Sequence, residues 1–136
     1  MAEPLHIKNE LNQLTKVHEY LLQAVRALDL NASTCMNLKL AVEEAVVNVI
    51  LYAYPGETDK DILIRLEHNE KEVKVVITDY GLAFDPTKMK NPDVSLPLEE
   101  RPIGGLGAYL IRRLMTEVSY RRSGNENILT LIKQIH

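Results

Sequence analysis

The sequence predicts an α+β fold in which helices cover one face of a mixed, largely antiparallel β-sheet. Two segments near the middle of the chain alternate apolar and polar residues with period two and are separated by a short turn, which is typical of a β-hairpin. Two segments before them carry apolar residues at helical spacing, and a second pair of strand-like segments ends the chain. Because the strands are joined as hairpins, a doubly wound parallel fold is disfavoured.

The first half of the chain predicts a short strand followed by two helices. Alternating apolar and polar residues around Leu5 indicate the strand, and Asn9 is a candidate N-cap for the helix that follows. A second helix is expected to begin near Asn31 or Ser33 and to end before Pro55, because Pro-Gly is a strong stop signal. The first helix has one apolar face, which consists of Leu11, Leu14, Leu21, Val25 and Leu28.

The second half of the chain predicts two hairpins, with an irregular stretch and a third helix between them. Each hairpin combines two segments of alternating apolar residues with a turn rich in polar residues. The irregular stretch lies between residues 85 and 104. The predicted elements are strands over 62–66 and 73–78 with a turn at 69–71, a helix over 108–115, and strands over 118–121 and 128–135 joined by a turn at 123–127.

Composition excludes several classes of protein. The 136 residues carry 16 basic and 19 acidic side chains, which gives a net charge of -3. A protein with this net charge does not attract the phosphates of nucleic acid uniformly. Cys35 is the only cysteine, so neither a disulfide framework nor a Cys cluster for zinc is expected. The longest apolar run, over 45–53, is interrupted by Asn48 and is too short to span a membrane. We expect one cytoplasmic domain over residues 1–136, with neither nucleic acid nor membrane as a partner.

The predicted second helix contains an unusual pair of polar side chains. Residues 41–54 are almost wholly apolar except for Glu43, Glu44 and Asn48. Glu44 and Asn48 are four residues apart and project from one helical face, whereas Glu43 is rotated by about 100°. A carboxylate and an amide on an apolar helix are costly unless they are paired, hydrated or bound to a ligand. Two interpretations are open: the pair caps a neighbouring loop, or it binds a ligand.

A second candidate site follows the predicted strand 73–78. Asp79 lies at the mouth of the sheet, where its carboxylate is able to accept a hydrogen bond from an exocyclic amino group such as that of adenine. Gly81 permits either a positive φ angle or a close backbone approach to a ligand. The alternative interpretation is an ordinary turn, since Asp-x-Gly after a strand is a common turn sequence.

A third candidate site is the glycine cluster, defined as Gly104, Gly105, Leu106 and Gly107, which precedes a predicted helix. Backbone N–H groups at such a cluster converge on an anion, and the helix N-terminus adds a favourable partial charge. The cluster lacks the Gly-Lys-[Ser/Thr] ending of a P-loop, and no βαβ unit makes it a dinucleotide-binding motif. A flexible hinge is the alternative interpretation. The three candidate sites together, in this order, are more specific than any one of them.

Three motifs together closely resemble the N, G1 and G2 boxes of the histidine-kinase-like ATPases, the GHKL superfamily. They are Glu44-Ala-Val-Val-Asn48, then Asp79-x-Gly81 followed by Phe84-Asp85-Pro86, then the glycine cluster with the segment up to Met115. The match is closest to the branch of anti-sigma-factor serine/threonine kinases and extends over residues 5–135. The resemblance implies an ATP pocket on a Bergerat-type two-layer α/β sandwich, with a mobile ATP lid over 86–103.

By position, the resemblance implies a role for each motif residue. Glu44 corresponds to the catalytic base, and Asn48 to the ligand through which Mg²⁺ reaches the three phosphates of ATP. Mg²⁺ prefers oxygen ligands and retains several waters, so one Asn oxygen together with phosphates is a sufficient site. Asp79 corresponds to the aspartate that binds adenine, and Gly81 to the glycine that lets the base approach. The phosphate loop would consist of Gly104, Gly105, Leu106, Gly107 and Ala108.

Two positions depart from the pattern of the family. Ala83 replaces the third glycine of the G1 box, which would stiffen this loop. Asn127 stands where the family commonly carries Gly-Thr near the last strand, and its amide is a candidate substitute for the threonine contact with adenine. In the lid, Arg101 has two interpretations, a contact with the γ-phosphate or a solvated charge.

The resemblance implies an ATP-dependent anti-sigma factor and protein serine kinase of the partner-switching type. Such a protein holds a sigma factor or another effector in one state and binds a small anti-anti-sigma (STAS-type) protein in the other. Transfer of the γ-phosphoryl group to a serine of the small partner would release that partner. Members of the family commonly pair through the N-terminal region, so the resemblance also implies a homodimer.

Two other classes of function stay open. One is an ATP-gated protein-binding module without kinase activity, which the presence of Glu44 disfavours because such a module needs no base. The other is the detached catalytic domain of a two-component histidine kinase. Residues 9–30 predict a single helix and not the helical hairpin of a phosphoacceptor domain, and His18 is expected to be an ordinary residue of a helix face.

Overall fold

The computed structural model describes residues 3–88 and 105–135 of the chain. A strand and two helices are followed by a hairpin, a third helix and a second hairpin, which confirms the predicted order of elements. The helices are α1 (Leu14–Val25), α2 (Ala32–Asn48) and α3 (Gly105–Leu114), and the strands are β1 (Leu5–Lys8), β2 (Asp61–His68), β3 (Glu72–Asp79), β4 (Glu117–Ser123) and β5 (Glu126–Gln134).

The described strands form a five-stranded sheet in the order β1-β2-β3-β5-β4. Each neighbouring pair of these strands is antiparallel, so the parallel component of a mixed sheet is missing from the part of the chain that the structure describes. Tight turns enforce this pairing within the two hairpins, because parallel strands need a longer crossover. At one end of the central strand β3, Asp79 is paired with Asn127 of β5. The register therefore places two predicted site residues side by side.

Alternate residues of the central strands form an apolar face that packs against the helices, which confirms the predicted two-layer α+β sandwich. Burial alternates along β2 and β3, because successive side chains of a strand point to opposite faces. Each fully buried side chain of this kind contributes roughly 1.5–3 kcal/mol. The buried residues of this interface include Leu38, Val42 and Val46 of α2 and Ile62, Ile64, Leu66, Val73, Val75 and Ile77 of the sheet.

Both ends of α2 are defined by specific contacts. The helix begins beside Asn31, one of the two predicted starts, and Asn31 is its N-cap because the Asn31 side chain accepts a hydrogen bond from the Thr34 N–H at 2.8 Å. At the other end a π-helical turn, Val49–Ala53, extends the helix towards the loop after β3. There the Ala53 carbonyl accepts a hydrogen bond from the Leu82 N–H at 2.8 Å. This contact fastens the end of the helix to the loop that follows Asp79.

Asn9 does not cap the first helix, which corrects the prediction. Its amide N–H donates to the Glu57 carbonyl at 2.8 Å, and its amide oxygen accepts from the Lys60 N–H at 2.9 Å. The reason is the pairing of β1 with β2, which brings the end of β1 next to the loop before β2. The chain enters α1 through a 3-10 turn whose N-cap, Glu10, makes no side-chain hydrogen bond.

The C-terminal elements begin earlier than predicted. Helix α3 starts at Gly105 and not at Ala108, so the end of the glycine cluster forms the first turn of the helix. The β4-β5 turn is tighter than predicted, because Gly124 adopts a φ of 60° and the ladder continues up to the pair Ser123 and Glu126. Asn127 therefore lies inside strand β5. Within the described residues, no helix is long and apolar enough to cross a bilayer.

Candidate functional site

The predicted site residues converge where α2, the end of β3, the start of β5 and the first turn of α3 meet. A narrow cavity at this junction is lined by residues from α2, the sheet and the loop after β3, namely Ala45, Asn48, Val49, Asp79, Phe84, Pro86, Tyr120, Asn127 and Leu129. Residues that are up to 84 positions apart in the sequence thus share one cavity, as the difference between Ala45 and Leu129 shows.

Glu44 and Asn48 lie together against Gly107 of α3. A Cβ atom added at Gly107 would stand 2.7 Å from Glu44 Oε2, 3.6 Å from Asn48 Oδ1 and 3.7 Å from Asn48 Nδ2. A side chain at this position would therefore fill the space in front of both polar groups. The structure brings these three predicted residues together, and the glycine keeps the space in front of them open.

Neither side chain of this pair caps a loop in the described part of the chain. Asn48 is 2% exposed, and its Nδ2 has no hydrogen-bond partner within residues 3–88 and 105–135. Leaving a buried amide unpaired costs about 1–3 kcal/mol. Burial raises the pKa of the Glu44 carboxyl, and the neighbouring charge of Glu43 raises this pKa further. A carboxyl with a raised pKa beside a buried amide that has an unpaired donor is typical of a binding or catalytic site.

Glu43 points away from this site, as its helical position predicts. Its Oε2 lies 3.1 Å from Nε2 of His18 on α1, and both side chains are about one third exposed. His18 is thus a residue of the α1-α2 interface, in agreement with the prediction. Adjacent carboxylates on α2 therefore have different surroundings, and Glu43 provides a matched control for Glu44.

Asp79 is almost fully buried at the end of β3, with 2% of its surface exposed. Its Oδ1 accepts hydrogen bonds from the Asn127 Nδ2 at 2.8 Å and from the Gly81 N–H at 2.9 Å. Burial raises the pKa of Asp79, while these two hydrogen bonds and the charge of Arg122 oppose the rise. The hydrogen bond from the Gly81 N–H to Oδ1 is a turn contact, so the turn interpretation accounts for this oxygen. An ionised carboxylate has two accepting oxygens, and within residues 3–88 and 105–135 both of these hydrogen bonds go to Oδ1.

Gly81 is required by a close approach of the backbone to the end of α2. A Cβ atom at this position would clash with the carbonyl oxygen of Ala53, lie 2.7 Å from the carbonyl carbon of Ala53 and lie 2.9 Å from Tyr54 Cδ1. Of the two roles that the sequence left open for Gly81, the positive φ is not found, and the close approach to a ligand stays a prediction. The contact here is with protein backbone, and it sets the course of the loop that follows Asp79.

Asn127 is 3% exposed and joins the sheet to this loop. Its Nδ2 donates to Asp79 Oδ1 at 2.8 Å and to the Leu82 carbonyl at 2.7 Å. Its Oδ1 accepts from the Tyr120 hydroxyl and from Arg122 Nη1, the latter at 3.1 Å. All strong donors and acceptors of this amide are thus occupied within the protein.

Sequence reasoning missed three side chains that border the site. Tyr120 and Arg122 lie on one face of β4 beside Asn127, and the alternation of β4 carries the signal that would place them there. Tyr52 stacks on Phe84 with ring centroids 4.8 Å apart, and its buried hydroxyl has no partner in the described ranges. Burial raises the pKa of the Tyr52 hydroxyl. Tyr52 follows Asn48 by four residues, and this helical spacing is the signal in the sequence that would place Tyr52 beside the site.

The remaining predicted residues have different surroundings. Ala83 is exposed in the loop after β3, whereas Ala108 is buried under the first turn of α3. The backbone of Gly105 and Leu106 belongs to that first turn, where N–H groups have no partner inside the helix. The predictions for Gly104, for Arg101 and for most of the lid over 86–103 lie outside the described residues.

The structure combines a two-layer α/β sandwich, a carboxylate and an amide that face a glycine at the start of a helix, and an aspartate at the end of a central strand. This combination defines a class of ATPase domain. The sequence profile of the histidine kinase-like ATPase domain matches residues 7–133, and the chain belongs to this family. The family and the predicted fold are thereby confirmed.

Among particular proteins, the chain is similar to named protein kinases. It is 34% identical over 94 residues to the serine/threonine-protein kinase BtrW of Bordetella bronchiseptica, a match that covers 69% of this chain and 66% of that protein. It is 35% identical over 99 residues to the serine-protein kinase RsbW of Listeria monocytogenes, covering 69% of this chain and 63% of that protein. The match thus spans slightly less than two thirds of the length of these relatives.

Solved structures share the fold at lower sequence identity. The crystal structure of the RsbU and RsbW domains of Rv1364c from Mycobacterium tuberculosis matches 98% of this chain and 33% of that chain, with a TM-score of 0.64 and 17% identity. The histidine kinase domain of a blue-light activated kinase from Erythrobacter litoralis matches 95% of this chain and 62% of that chain, with a TM-score of 0.54 and 13% identity. At these identities the likeness concerns the fold.

Proposed function

We propose that this chain binds ATP with Mg²⁺ and is a protein serine kinase of the partner-switching type. It would phosphorylate a serine of a small STAS-type anti-anti-sigma protein and, in its other state, hold a sigma factor or another effector. The observation that carries this proposal is that the Glu44 carboxylate lies in front of Gly107 together with Asn48, whose buried Nδ2 has no hydrogen-bond partner among the described residues. The names of the similar proteins, serine/threonine-protein kinase BtrW and serine-protein kinase RsbW, support the same activity.

The proposed reaction uses Glu44 as the general base. The serine oxygen attacks the γ-phosphorus, the bond from this phosphorus to the bridging oxygen breaks, ADP leaves, and the hydroxyl proton passes to the Glu44 carboxylate. A base is most effective when its pKa lies near the working pH. The raised pKa of Glu44 moves in that direction because burial and Glu43 both disfavour its charged form. The backbone N–H groups at the start of α3 are available for the phosphates.

Asn48 fits the role of a Mg²⁺ ligand. Its amide supplies a hard oxygen, its Nδ2 has no partner in the described part of the chain, and the missing side chain at Gly107 leaves room in front of it. Among the described residues, no group of three His, Cys, Asp or Glu side chains forms an alternative metal site. When bound, Mg²⁺ would neutralise charge on the phosphates, which themselves supply further oxygen ligands.

Asn48→Ala is expected to weaken ATP binding in the presence of Mg²⁺ by on the order of tenfold, corresponding to about 1.4 kcal/mol. Binding measured in excess chelator should change little, because the variant removes only the proposed metal ligand. The fold should persist, since Asn48 Nδ2 makes no hydrogen bond in the described ranges. Calorimetry with and without Mg²⁺ measures the difference. The exposed Asn125→Ala serves as a matched control, and equal weakening under both conditions would contradict the role of Asn48.

ATP is expected to bind more tightly than GTP by roughly 5- to 150-fold. In the proposed site Asp79 accepts a hydrogen bond from the adenine amino group through Oδ2, since its Oδ1 already accepts from Asn127 and Gly81, whereas guanine presents a carbonyl oxygen at the same position. Two acceptors would then face each other without a proton between them. Titration calorimetry with the two nucleotides tests this expectation, and equal affinities would remove Asp79 from the adenine site.

The proposal includes a homodimer in the cytoplasm and an ATP lid over 86–103. β1 has four residues and lies at an edge of the described sheet, where a second copy would pair with it. The central experiment incubates the chain with γ-labelled ATP, Mg²⁺ and the small STAS-type proteins of its own genome. Label on a partner serine supports the kinase. Absence of transfer to all of these proteins, with ATP still altering effector binding, would favour the ATP-gated binding module.

A further inference from the structure

We propose that Asn127 is the positioning residue for adenine specificity: it binds Asp79 Oδ1 and so leaves Asp79 Oδ2 as the oxygen that accepts from the base. This inference rests on the proposed ATP site. It assigns Asn127 a role through Asp79, in place of the direct contact with adenine that the resemblance implies.

The sheet register fixes the position of Asn127 relative to Asp79. The two residues are directly paired on the adjacent antiparallel strands β3 and β5, so their side chains leave the sheet on the same face. The Asn127 Nδ2 and the Gly81 N–H both donate to Asp79 Oδ1, at 2.8 Å and 2.9 Å. Two donors on one oxygen hold the carboxylate in one rotamer, with the other oxygen directed away from them.

The amide of Asn127 is held in one orientation by its neighbours. Nδ2 faces two acceptors, Asp79 Oδ1 and the Leu82 carbonyl. Oδ1 faces Arg122, which is always a donor, at 3.1 Å. A flipped amide would set its oxygen against a carboxylate and a carbonyl, and its N–H groups against a guanidinium. Both amide hydrogens are therefore already donated, and Asn127 has none left for adenine.

The same side chain fixes the loop that borders the base. The Asn127 Nδ2 holds the Leu82 carbonyl at 2.7 Å, and Arg122 Nη1 donates to the Gly81 carbonyl, also at 2.7 Å. Phe84, two residues beyond Leu82, stacks on Tyr52 of the π-helical turn. Removal of the amide would take away one of the two donors to Asp79 Oδ1 and would also release this loop from β5. Water would then compete for the carboxylate, and its preference for an amino group would weaken.

The test compares ATP with purine riboside triphosphate, which lacks the exocyclic amino group. Wild-type protein should prefer ATP by roughly 5- to 150-fold, the effect of one unsatisfied buried group. Asn127→Ala should reduce this preference to less than about threefold, because ATP loses more affinity than the analogue does. Titration calorimetry gives both affinities, and circular dichroism gives the melting temperature. Asn125→Ala, an exposed Asn in the adjacent turn, should retain the preference of the wild type.

The outcomes separate this inference from the proposed function. Wild-type protein that binds neither nucleotide would overturn the ATP site itself. If the wild type prefers ATP and Asn127→Ala keeps the full preference, the positioning role alone is overturned. The same holds if Asn127→Ala loses affinity for both nucleotides equally. If Asn127→Ala does not fold, Asn127→Val replaces it, since valine suits a strand. Its side chain donates to neither acceptor, so a reduced preference supports the inference and a full preference overturns it.

Discussion

Glu44→Gln is expected to leave ATP binding intact and to lower phosphoryl transfer to a partner serine by about 10²–10⁴-fold, the usual contribution of a general base. Glutamine keeps the shape of the side chain and its place in front of Gly107, where Glu44 Oε2 lies 2.7 Å from the position of an added Cβ. It is unable to take up the proton of the attacking hydroxyl. Calorimetry measures ATP binding, and initial rates with γ-labelled ATP measure transfer.

Glu43→Gln is the matched control for this substitution. The Glu43 side chain contacts His18 on α1 at 3.1 Å and does not face Gly107. Transfer at neutral pH should stay near the wild-type rate. If Glu44→Gln transfers phosphate as fast as the wild type, the proton has another acceptor and the assignment of Glu44 is wrong.

The pH dependence of transfer provides a second measure of the same role. Burial first, and then the charge of Glu43, raise the pKa of Glu44. Because the base must be deprotonated, the rate should fall on the acid side at a higher pH than for an ordinary glutamate, whose pKa is about 4.3. Glu43→Gln removes one of the two causes. The Glu43→Gln substitution should therefore move the acid limb of the pH profile to lower pH. If the limb stays at the wild-type pH, Glu44 is not the group whose titration produces it.

The sequence predicted those features of the fold that depend on local periodicity. Helical spacing placed Glu44 and Asn48 on one face and Glu43 on another, and the structure has this arrangement. Alternation predicted the hairpins, because each strand of the central sheet has one buried face. The start of α2 was predicted near Asn31 or Ser33, and in the structure the Asn31 side chain caps the helix. These signals are contained within one or two turns or strands.

Features that depend on contacts between distant segments were harder to predict. Asn9 has the residue type of a helix cap, but the pairing of β1 with β2 brings Asn9 next to the loop before β2. Asn127 was a candidate from its position alone, and its hydrogen bonds follow from the β3-β5 register. The contact of Arg122 with the Gly81 carbonyl spans 41 residues. No local pattern contains the register that creates these contacts.

The two site glycines illustrate the same difference in physical terms. A Cβ atom at Gly107 would meet the end of a flexible glutamate side chain, which is able to shift. A Cβ atom at Gly81 would meet the carbonyl group of Ala53, which belongs to the end of a helix. The first glycine therefore serves the site, whereas the second also serves the packing of the loop against α2. The sequence shows only that both positions are glycine.

Gly81→Ala is expected to destabilise the protein by about 2–4 kcal/mol, combining roughly 1–3 kcal/mol for overpacking with about 1 kcal/mol for a weakened hydrogen bond. The new methyl group would overlap the Ala53 carbonyl and lie 2.9 Å from Tyr54 Cδ1. The loop must then move away from α2, which stretches the 2.8 Å hydrogen bond from the Leu82 N–H to Ala53. A melting temperature lower by on the order of 10 °C should result.

The matched control for Gly81→Ala is Gly56→Ala. A Cβ atom at Gly56 would have no neighbour within 4 Å, although its φ of +70° strains any other residue. This variant should lose about 1 kcal/mol from the backbone alone and retain ATP binding. Gly81→Ala should lose ATP affinity as well, because the displaced loop withdraws the Gly81 N–H from Asp79 Oδ1. If Gly81→Ala is as stable as Gly56→Ala and keeps full ATP affinity, the loop is able to move without loss of stability. Close packing against Ala53 would then not determine the position of the loop.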